Sequence, residues 1–264
     1  MEELIKTIIL GIIQGLTEWL PISSTGHLKL AEHFLRLQVP ILFDVTLHIG
    51  TLIVILFFFR KDIKNILSAF AQFDFKTEDG KLIPLIIVGT IPTAVIGVVF
   101  GEPIESTFQT TLPIATAFIL CGIILYSTKD RKEKADSITY LTAIIIGIAQ
   151  GIAIIPGISR SGATIAAALL LGIKREKAFK FSFLLSIPAI IGALGLTLYT
   201  QFNKLITVEL GWTEIFAGMT VAMLVGYFAL RILWKILLKE KFHFFAFYCW
   251  LLGTILITLS LSGF

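Results

Sequence analysis

Long apolar runs alternate with short charged stretches along most of the chain. Seven runs are about long enough, or nearly so, to cross a bilayer as a helix. They are Phe43–Phe59, Leu82–Phe100, Leu112–Ser127, Ile138–Ile155, Phe181–Tyr199, Ile215–Leu230 and Phe242–Leu261. The runs are apolar on all sides, which is typical of helices that lie in lipid. A transmembrane β-barrel would need apolar and polar positions to alternate, and these runs do not. The pattern therefore predicts an all-α integral membrane protein.

Two apolar segments are interrupted by Pro, Gly and Ser. The first runs over Leu4–Leu20, breaks at 21–26 and continues over Leu28–Leu37; the second runs over Ile138–Ile155, breaks at 156–162 and continues over Ala163–Ile173. The second part of each segment is too short to cross a bilayer. Irregular backbone at membrane depth is tolerated only inside protein or beside a wet cavity. Each segment is predicted to form a re-entrant helix–turn–helix hairpin.

The two hairpins belong to an internal repeat with an offset of 136 residues. Gly11, Gln14 and Gly15 recur as Gly147, Gln150 and Gly151, and the stretch 23–26 recurs as 159–162. Each half then holds one hairpin and three full spans, and because three is odd the second half must be inverted. We expect one membrane domain over residues 1–264, built from inverted repeats 1–128 and 138–264, with six full spans and two hairpins, ten helical segments in all.

Composition and charge agree with this topology. The chain is 56% hydrophobic and only 15% charged, whereas soluble domains have about a quarter of their residues charged. The predicted topology places 17 of the 22 Lys and Arg residues on one side, in the loops near residues 60–81, 129–134, 174–180 and 231–241. The positive-inside rule makes that side cytoplasmic and places both termini outside. The same asymmetry explains the basic pI, so no nucleic-acid partner is expected.

The turns of the two hairpins carry the polar residues. They are Ser23, Ser24 and Thr25 in the first turn and Ser159, Arg160 and Ser161 in the second. An inverted pair of broken helices brings such turns together near the midplane, and each turn opens a helix N-terminus that attracts anions. A guanidinium at membrane depth is costly and usually functional, and its fork matches phosphate oxygens. The turns therefore predict an anion site.

Three further side chains add chemistry to the first hairpin. Gln14 and Glu18 are four residues apart and share a helix face, and His27 follows Ser24 by three residues, so that imidazole and hydroxyl can meet. A hydroxyl, an imidazole, a carboxylate and an arginine around an anion pocket are the components of phosphoryl transfer.

Structural roles are open alternatives for the same residues. The turn hydroxyls can cap helices, Arg160 can form a structural ion pair with Glu18, and Gln14 and Gln150 can join helices through hydrogen bonds. For Asp44 and His48, a role as buried hydrogen-bonding partners is favoured over a catalytic one.

These residues resemble those of a known family. The stretches 14–27 and 156–164 are similar to two signature motifs of the undecaprenyl pyrophosphate phosphatases, also called bacitracin resistance proteins, and 43–51 and 181–188 resemble that family too. The likeness covers essentially the whole chain. It implies a ten-segment inverted-repeat fold in the plasma or inner membrane, an outward-facing site, a divalent cation (Mg²⁺ or Ca²⁺), and hydrolysis of a C55 lipid pyrophosphate to the monophosphate, which recycles the carrier for cell-wall polymers.

The resemblance also implies roles for individual residues. Ser24, His27, Glu18 and Arg160 are the expected catalytic residues. The expected substrate contacts are Ser23, Thr25, Gly26, Gly157, Ser159, Ser161, Gly162 and Thr164. Glu18 is the expected metal ligand, and Gln14 is a weaker second candidate because an amide binds Mg²⁺ or Ca²⁺ less well than the Glu of many relatives. Our hypothesis is that Ser24 attacks the terminal phosphorus with His27 as general base; direct activation of water by His27 is the alternative.

Two other classes of protein compete with an enzyme. Inverted repeats with broken helices are also the architecture of secondary transporters, so a transporter or flippase for a lipid phosphate or small anion is the main alternative. Glu18 and His27 favour an enzyme weakly, because anion transport needs neither a nucleophile nor a base. A purely structural subunit leaves Arg160 unexplained. The expected partners are the polyprenyl pyrophosphate lipid and the bilayer, and the sequence is compatible with a homo-oligomer.

Overall fold

A computed structural model describes residues 2–35, 40–201 and 210–262. Regular structure in these residues is helical, apart from one isolated bridge between Ala135 and Ile173. The helices are α1 (Glu2–Trp19), α2 (Ser24–Leu35), α3 (Ile41–Phe58), α4 (Arg60–Ala71), α5 (Glu78–Thr107), α6 (Thr111–Tyr126), α7 (Tyr140–Ile152), α8 (Arg160–Leu170), α9 (Arg175–Thr200), α10 (Trp212–Leu238) and α11 (Phe245–Leu261), with a 3-10 turn at Phe242–Phe244. The predicted all-α class is confirmed.

Several helices are suited to a bilayer. Within the described residues, α3, α5, α9, α10 and the segment Phe242–Leu261 are long and apolar enough to cross a membrane. The sixth expected span, α6, is apolar but has only 16 residues. Its length of about 24 Å is a little below the thickness of a hydrocarbon core.

Both expected interruptions are present. The first break separates α1 from the 12-residue α2, and the second separates the 13-residue α7 from the 11-residue α8. At about 1.5 Å per residue, α2 and α8 are each under 20 Å long, too short to cross a bilayer. Residues 36–39, the end of the first expected hairpin, lie outside the described residues.

Close helix crossings hold the bundle together. The most extensive contacts join α1 to α10, α5 to α7, and α6 to α11. Glycines allow the backbones to approach: a Cβ added at Gly11 would lie 2.5 Å from the Gly218 carbonyl oxygen, and one at Gly147 would overlap the Gly89 carbonyl. The first helix of each broken pair therefore packs on a helix from the other half of the chain.

Four charged loops meet at one end of the molecule. Lys180 at the start of α9 pairs with Asp62 and Asp79 at 2.6 and 3.0 Å. Arg175 pairs with Glu133 at 2.7 Å and with Glu240 at 3.3 Å. The backbone N–H and the guanidinium of Arg175 also hold the pKa of Glu133 below its ordinary value. The loops that the charge count assigns to one side are thus in direct contact.

The helix α4 is a feature that the sequence analysis did not predict. The charge pattern predicts a loop for its segment, but Arg60–Ala71 forms a helix directly after α3. Lys61 and Lys64 are exposed and Ala69 is buried, and Phe70, which lies on the side of the helix opposite Lys61, is 53% exposed. Basic residues on one face and exposed apolar residues on another are typical of a helix that lies at a membrane surface.

Candidate active site between the two broken helices

The first break places Ser24 at the start of α2. The preceding residue, Ser23, has a positive φ of 69°, in the left-handed region that few non-glycine residues adopt. Its hydroxyl accepts the Gly26 N–H at 3.3 Å and so caps the helix. Ser24 is directed differently: its Oγ donates a hydrogen bond of 2.6 Å to Glu18 Oε2. Capping therefore accounts for Ser23 and not for Ser24.

The carboxylate of Glu18 connects the two breaks. Arg160, the first residue of α8, donates from Nη2 to Glu18 Oε1 at 2.6 Å. Glu18 is only 8% exposed, and the Arg160 guanidinium packs over the Trp19 ring at 5.4 Å from its centroid. Arg160 Nη1 is buried and has no hydrogen-bond partner among the described residues. The guanidinium therefore has one donor nitrogen that the described residues leave without a partner.

Reciprocal hydrogen bonds lock the two turns together. Ser23 Oγ accepts the Gly157 N–H at 3.0 Å, and Ser161 Oγ donates to the Trp19 carbonyl at 2.9 Å. Gly157 has a φ of +102°, and a Cβ there would lie 2.6 Å from the Ile114 carbonyl oxygen, so the position requires glycine. Ser159 repeats the role of Ser23 by accepting the Gly162 N–H at 3.1 Å. The two turns form one rigid platform under Ser24 and Arg160.

A chain of polar groups extends from Glu18 to α3. Gln14 Nε2 donates to Glu18 Oε2 at 3.2 Å and contacts His48 Nδ1 at 3.1 Å. His48 Nε2 lies 3.8 Å from Asp44 Oδ1. Asp44 and His48 therefore belong to the wall of the site. Their spacing of one helical turn was visible in the sequence, but nothing in it placed α3 beside Glu18.

His27 points away from Ser24. Its Nδ1 lies 2.7 Å from the Ser23 carbonyl oxygen and its Nε2 lies 2.6 Å from the Tyr248 hydroxyl on α11. The expected meeting of imidazole and Ser24 hydroxyl is therefore not the arrangement of this structure, in which Ser24 meets Glu18. No pattern in the sequence indicates Tyr248, because it lies more than 200 residues from His27 along the chain.

A cavity of about 840 Å³ opens above this platform. Of the expected site residues, its wall contains Glu18, Ser23, Ser24, Thr25, Ser159 and Arg160. Asp44, His48, Thr90, Thr93, Gln150 and Ser186 add further polar groups that the sequence analysis did not assign to the site. The rest of the wall is mostly apolar and comes largely from α5 and α9. A polar end and an apolar extension suit an amphiphilic ligand.

The remaining expected residues shape the site from behind. Gly26 packs against the Phe118 ring, where an added Cβ would lie 2.8 Å from the ring edge. Thr164 is fully buried, donates to the Arg160 carbonyl at 2.8 Å and also bonds Ser182. Ser161 is fully buried as well. These residues fix α2 and α8 in place.

The polar groups of the site offer too few donors to bind a divalent cation by themselves, but they could bind one together with the phosphates of a substrate. Glu18 and Asp44 supply carboxylates, and Gln14 Oε1 is buried with no hydrogen-bond partner in the described part of the chain. These are oxygen donors of the type that Mg²⁺ and Ca²⁺ prefer. No cluster of three or more His, Cys, Asp or Glu that could hold a metal occurs among the described residues. Mg²⁺ commonly completes one or two carboxylates with substrate phosphates and water, and the donor set fits that mode.

The fold and the site define a multi-pass membrane protein with a polar centre between its helices. Apolar spans surround two interlocked broken helices, and a buried ion pair, which also binds the Ser24 hydroxyl, connects the two breaks. The chain belongs to the family described as bacitracin resistance protein BacA, whose model matches residues 7–255. The family expected from the two motifs is thus confirmed.

Relatives match over almost the full length. The chain is 42% identical to an undecaprenyl-diphosphatase of Carboxydothermus hydrogenoformans, with 98% of each chain covered. It is 42% identical to an undecaprenyl-diphosphatase of Halothermothrix orenii, again with 98% of each covered. An undecaprenyl-diphosphatase of Treponema denticola is 43% identical over 94% of each chain.

Proposed function

We propose that this protein is an undecaprenyl-diphosphatase: it hydrolyses a polyprenyl pyrophosphate in the membrane to the monophosphate and inorganic phosphate. The observation that carries the proposal is the Glu18 carboxylate, which binds the Ser24 hydroxyl at 2.6 Å and the Arg160 guanidinium at 2.6 Å. A nucleophile, its proton acceptor and a phosphate-binding cation thus meet in one cavity. Family membership and the names of the relatives support the same activity. Recycling of a lipid carrier and resistance to bacitracin follow from it.

The reaction uses the groups of the first break in order. Ser24 Oγ attacks the terminal phosphorus, and its proton passes to Glu18 Oε2, which already accepts the hydrogen bond. The bond from that phosphorus to the bridging oxygen breaks, and the lipid monophosphate leaves. After Glu18 has passed its proton to the departing phosphate, water attacks the phosphoserine and gives a proton to Glu18. The bond from phosphorus to Ser24 Oγ then breaks, Glu18 returns the proton to Ser24, and inorganic phosphate is released. The geometry favours Glu18 over His27 as the base for Ser24, because His27 is directed to Tyr248.

Arg160 stabilises the phosphoryl group. Its Nη1, which has no hydrogen-bond partner among the described residues, would donate to a phosphate oxygen, while Nη2 is held by Glu18. When Glu18 takes up a proton it loses its charge, so its attraction for Arg160 weakens and the guanidinium can bind the substrate more strongly. Before this proton transfer, a divalent cation held by the Glu18 carboxylate and the substrate phosphates, with Gln14 Oε1 as a second donor, would neutralise part of the phosphate charge.

The lipid tail extends from the cavity between α5 and α9. Both helices are sparsely packed where they border the cavity: a Cβ at Gly97, Gly101 or Gly192 would meet nothing within 4 Å. Val98 and Leu196 are 74% and 49% exposed. An apolar gap that is continuous with the polar platform suits a chain that stays in the bilayer while its pyrophosphate reaches Ser24.

The inverted repeat is part of the proposal. Exchanging the two halves converts α1 into α7, α3 into α9, α5 into α10 and α6 into α11. The same exchange relates the contact of α1 with α10 to the contact of α7 with α5. The contact of α6 with α11 joins two corresponding helices and is therefore unchanged by the exchange. These three are the most extensive contacts of the fold. Ser23 and Ser159 make the same capping bond at corresponding positions. This correspondence supports two re-entrant hairpins in inverted halves.

The orientation of the site follows from the topology. The four basic loops meet at one end through ion pairs such as Lys180–Asp62 and Arg175–Glu133, and the positive-inside rule makes that end cytoplasmic. The cavity reaches Gly101 near the end of α5 and Tyr199 near the end of α9, both away from the basic loops in the topology. We therefore place the opening, and both termini, on the outer side.

Phosphate release from a polyprenyl pyrophosphate by detergent-purified protein tests the activity. We expect release that EDTA abolishes and that falls by at least about 10³-fold in Ser24→Ala and about 10²-fold in Arg160→Ala. Ser106→Ala and Arg231→Ala change the same residue types at exposed positions of α5 and α10 and serve as controls. Acid-quenched protein with labelled terminal phosphate should carry the label on Ser24.

Two outcomes would count against this proposal. Folded wild-type protein that binds the substrate through Arg160 but releases no phosphate would support the transporter. Release without any trapped label on Ser24 in a rapid-quench series would replace the covalent route by direct attack of water.

A further inference from the structure

We propose that Tyr248 is a positioning residue for the reaction: through His27 it clamps the Ser23 turn, and so fixes the direction of the Ser24 hydroxyl. The proposal rests on the hydrolytic function of the site. It concerns a residue on α11, outside both broken helices and outside the wall of the large cavity.

The hydrogen bonds around His27 determine which nitrogen carries the proton. The Ser23 carbonyl lies 2.7 Å from Nδ1, and because a carbonyl can only accept, Nδ1 must donate. In a neutral imidazole the other nitrogen is then an acceptor. The Tyr248 hydroxyl, 2.6 Å from Nε2, is therefore the donor. The Ser23 carbonyl thus requires the Nδ1–H tautomer, and the Tyr248 hydroxyl stabilises that tautomer by donating to Nε2.

Aromatic contacts hold the imidazole in this position. The Tyr248 ring stacks on His27 with a centroid distance of 5.7 Å and an interplanar angle of 15°. Phe118 on α6 packs edge-on at 5.3 Å and 88°. The stacked and edge-on rings hold the His27 imidazole against α11 and α6.

The Ser23 carbonyl is the place where a clamp has most effect. It accepts both the His27 N–H at 3.2 Å and the imidazole Nδ1 at 2.7 Å. Ser23 holds a φ of 69°, which costs energy for a residue with a side chain and persists only when neighbouring contacts impose it. Its hydroxyl also receives the N–H of Gly157 from the other break. A relaxed Ser23 would displace Ser24 from Glu18 and loosen the joint between the breaks.

Removal of the Tyr248 hydroxyl should weaken the clamp and leave the packing intact. In Tyr248→Phe the ring still stacks on His27, but the imidazole can move its proton to Nε2 and lose the bond to Ser23. We expect kcat to fall about 10-fold, the equivalent of one lost hydrogen bond, with KM within about twofold because the cavity wall is unchanged. Tyr126→Phe, on α6, is the matched control.

Two substitutions of His27 separate positioning from proton transfer. The side-chain amide of Asn places an N–H where Nδ1 was, and that of Gln places its amide near the former Nε2. We expect His27→Asn to retain activity within about 10-fold of the wild type and His27→Gln to lose considerably more. We also expect Tyr248→Phe to have no further effect on His27→Asn, because Asn needs no tautomer to be selected.

The tautomer can be observed directly in folded protein. With ¹⁵N-labelled histidine, the wild type should show His27 protonated at Nδ1, and Tyr248→Phe should shift signal toward the Nε2 form. An equal, complete loss of activity in His27→Asn and His27→Gln would overturn the proposal and make His27 a proton-transfer group. Unchanged kcat in Tyr248→Phe would overturn it as well. A wild type without phosphate release would instead refute the hydrolytic function, whatever the tautomer.

Discussion

At the scale of single residues, Glu18 connects two interpretations that the sequence left as alternatives. A structural ion pair with Arg160 is present at 2.6 Å, and the same carboxylate also holds the Ser24 hydroxyl. If the Glu18 carboxylate contacted only Arg160, its role would be limited to holding the two breaks together. The bond to Ser24 Oγ adds a group that can take its proton. In the proposed mechanism, ion pairing and proton transfer therefore belong to one side chain.

Glu18→Gln should reduce both activity and stability. The amide cannot take the Ser24 proton, so we expect kcat to fall by about 10²–10⁴-fold. It also leaves Arg160 without its counter-charge, and loss of one partner of a buried pair costs about 3–5 kcal/mol. Because the Arg160 side chain is 16% exposed beside the cavity, we expect the lower end of that range. Initial rates and thermal unfolding in detergent measure the two effects.

A matched exchange makes the Glu18 prediction specific. Glu105→Gln changes an exposed carboxylate near the end of α5 and should alter neither quantity. Arg160→Gln in the Glu18→Gln background should restore part of the lost stability and none of the activity, since it removes the unpaired charge. If Glu18→Gln kept full activity, the base would have to lie elsewhere, with His27 the first candidate.

At the scale of helices, the breaks were predictable and the neighbours were not. Pro21 and the Ser and Gly residues around it interrupt the first apolar run, and the corresponding residues interrupt the run that ends near Ile155, because Pro cannot continue a helix and glycine favours turns. The approach of α3 to Glu18, and of α11 to His27, depends on packing between distant segments. Periodicity carries no information on such contacts. For this reason the sequence predicts a hydrogen-bonding role for His48 but not its place in the wall of the site, and it predicts no role for Tyr248.

Glycines at the helix crossings should be sensitive to a single methyl group. In Gly11→Ala the added Cβ would lie 2.5 Å from the backbone oxygen of Gly218, which cannot move without separating α1 from α10. We expect a loss of about 2 kcal/mol or more in stability and reduced yield of folded protein. Gly195→Ala meets nothing within 4 Å and lies in α9, so it should be neutral or slightly stabilising. Thermal unfolding in one detergent compares the pair.

The gap between α5 and α9 should discriminate between long and short lipid tails. In Gly97→Leu or Gly192→Leu a side chain would enter the apolar extension of the cavity, far from Ser24 along the helices. We expect KM for a C55 pyrophosphate to rise about 10-fold or more, from the loss of a few buried methylenes of the tail, with little change for a C15 pyrophosphate. Equal changes for both substrates would contradict a tail site between these helices.

At the scale of the whole molecule, an all-α membrane protein and its family could be read from the apolar runs and two motifs. Those signals are local: hydropathy sets the spans, and the stretches 14–27 and 156–164 identify the family. The helix α4 was missed because Arg60, Lys61 and Lys64 suggested a loop, whereas a short amphipathic helix is stabilised by the surface on which it lies. The direction of the His27 ring was missed because three residues of spacing permit a contact with Ser24 without requiring it.

The proposed topology is a property of the whole chain, and labelling of single cysteines tests it. In a background with Cys121→Ala and Cys249→Ala, both buried positions, we would introduce Glu2→Cys, Glu102→Cys or Lys132→Cys, which are all exposed. A membrane-impermeant maleimide applied to intact cells should label the first two and reach Lys132→Cys only after permeabilisation. Phosphate release by each variant verifies that its fold is intact.

Labelling of Lys132→Cys in intact cells would invert the orientation and move the opening of the cavity to the cytoplasm. If Glu2→Cys and Glu102→Cys were labelled from opposite sides, an odd number of membrane crossings would lie between them. The first half would then cross the membrane an even number of times, and the two halves would not be inverted relative to each other.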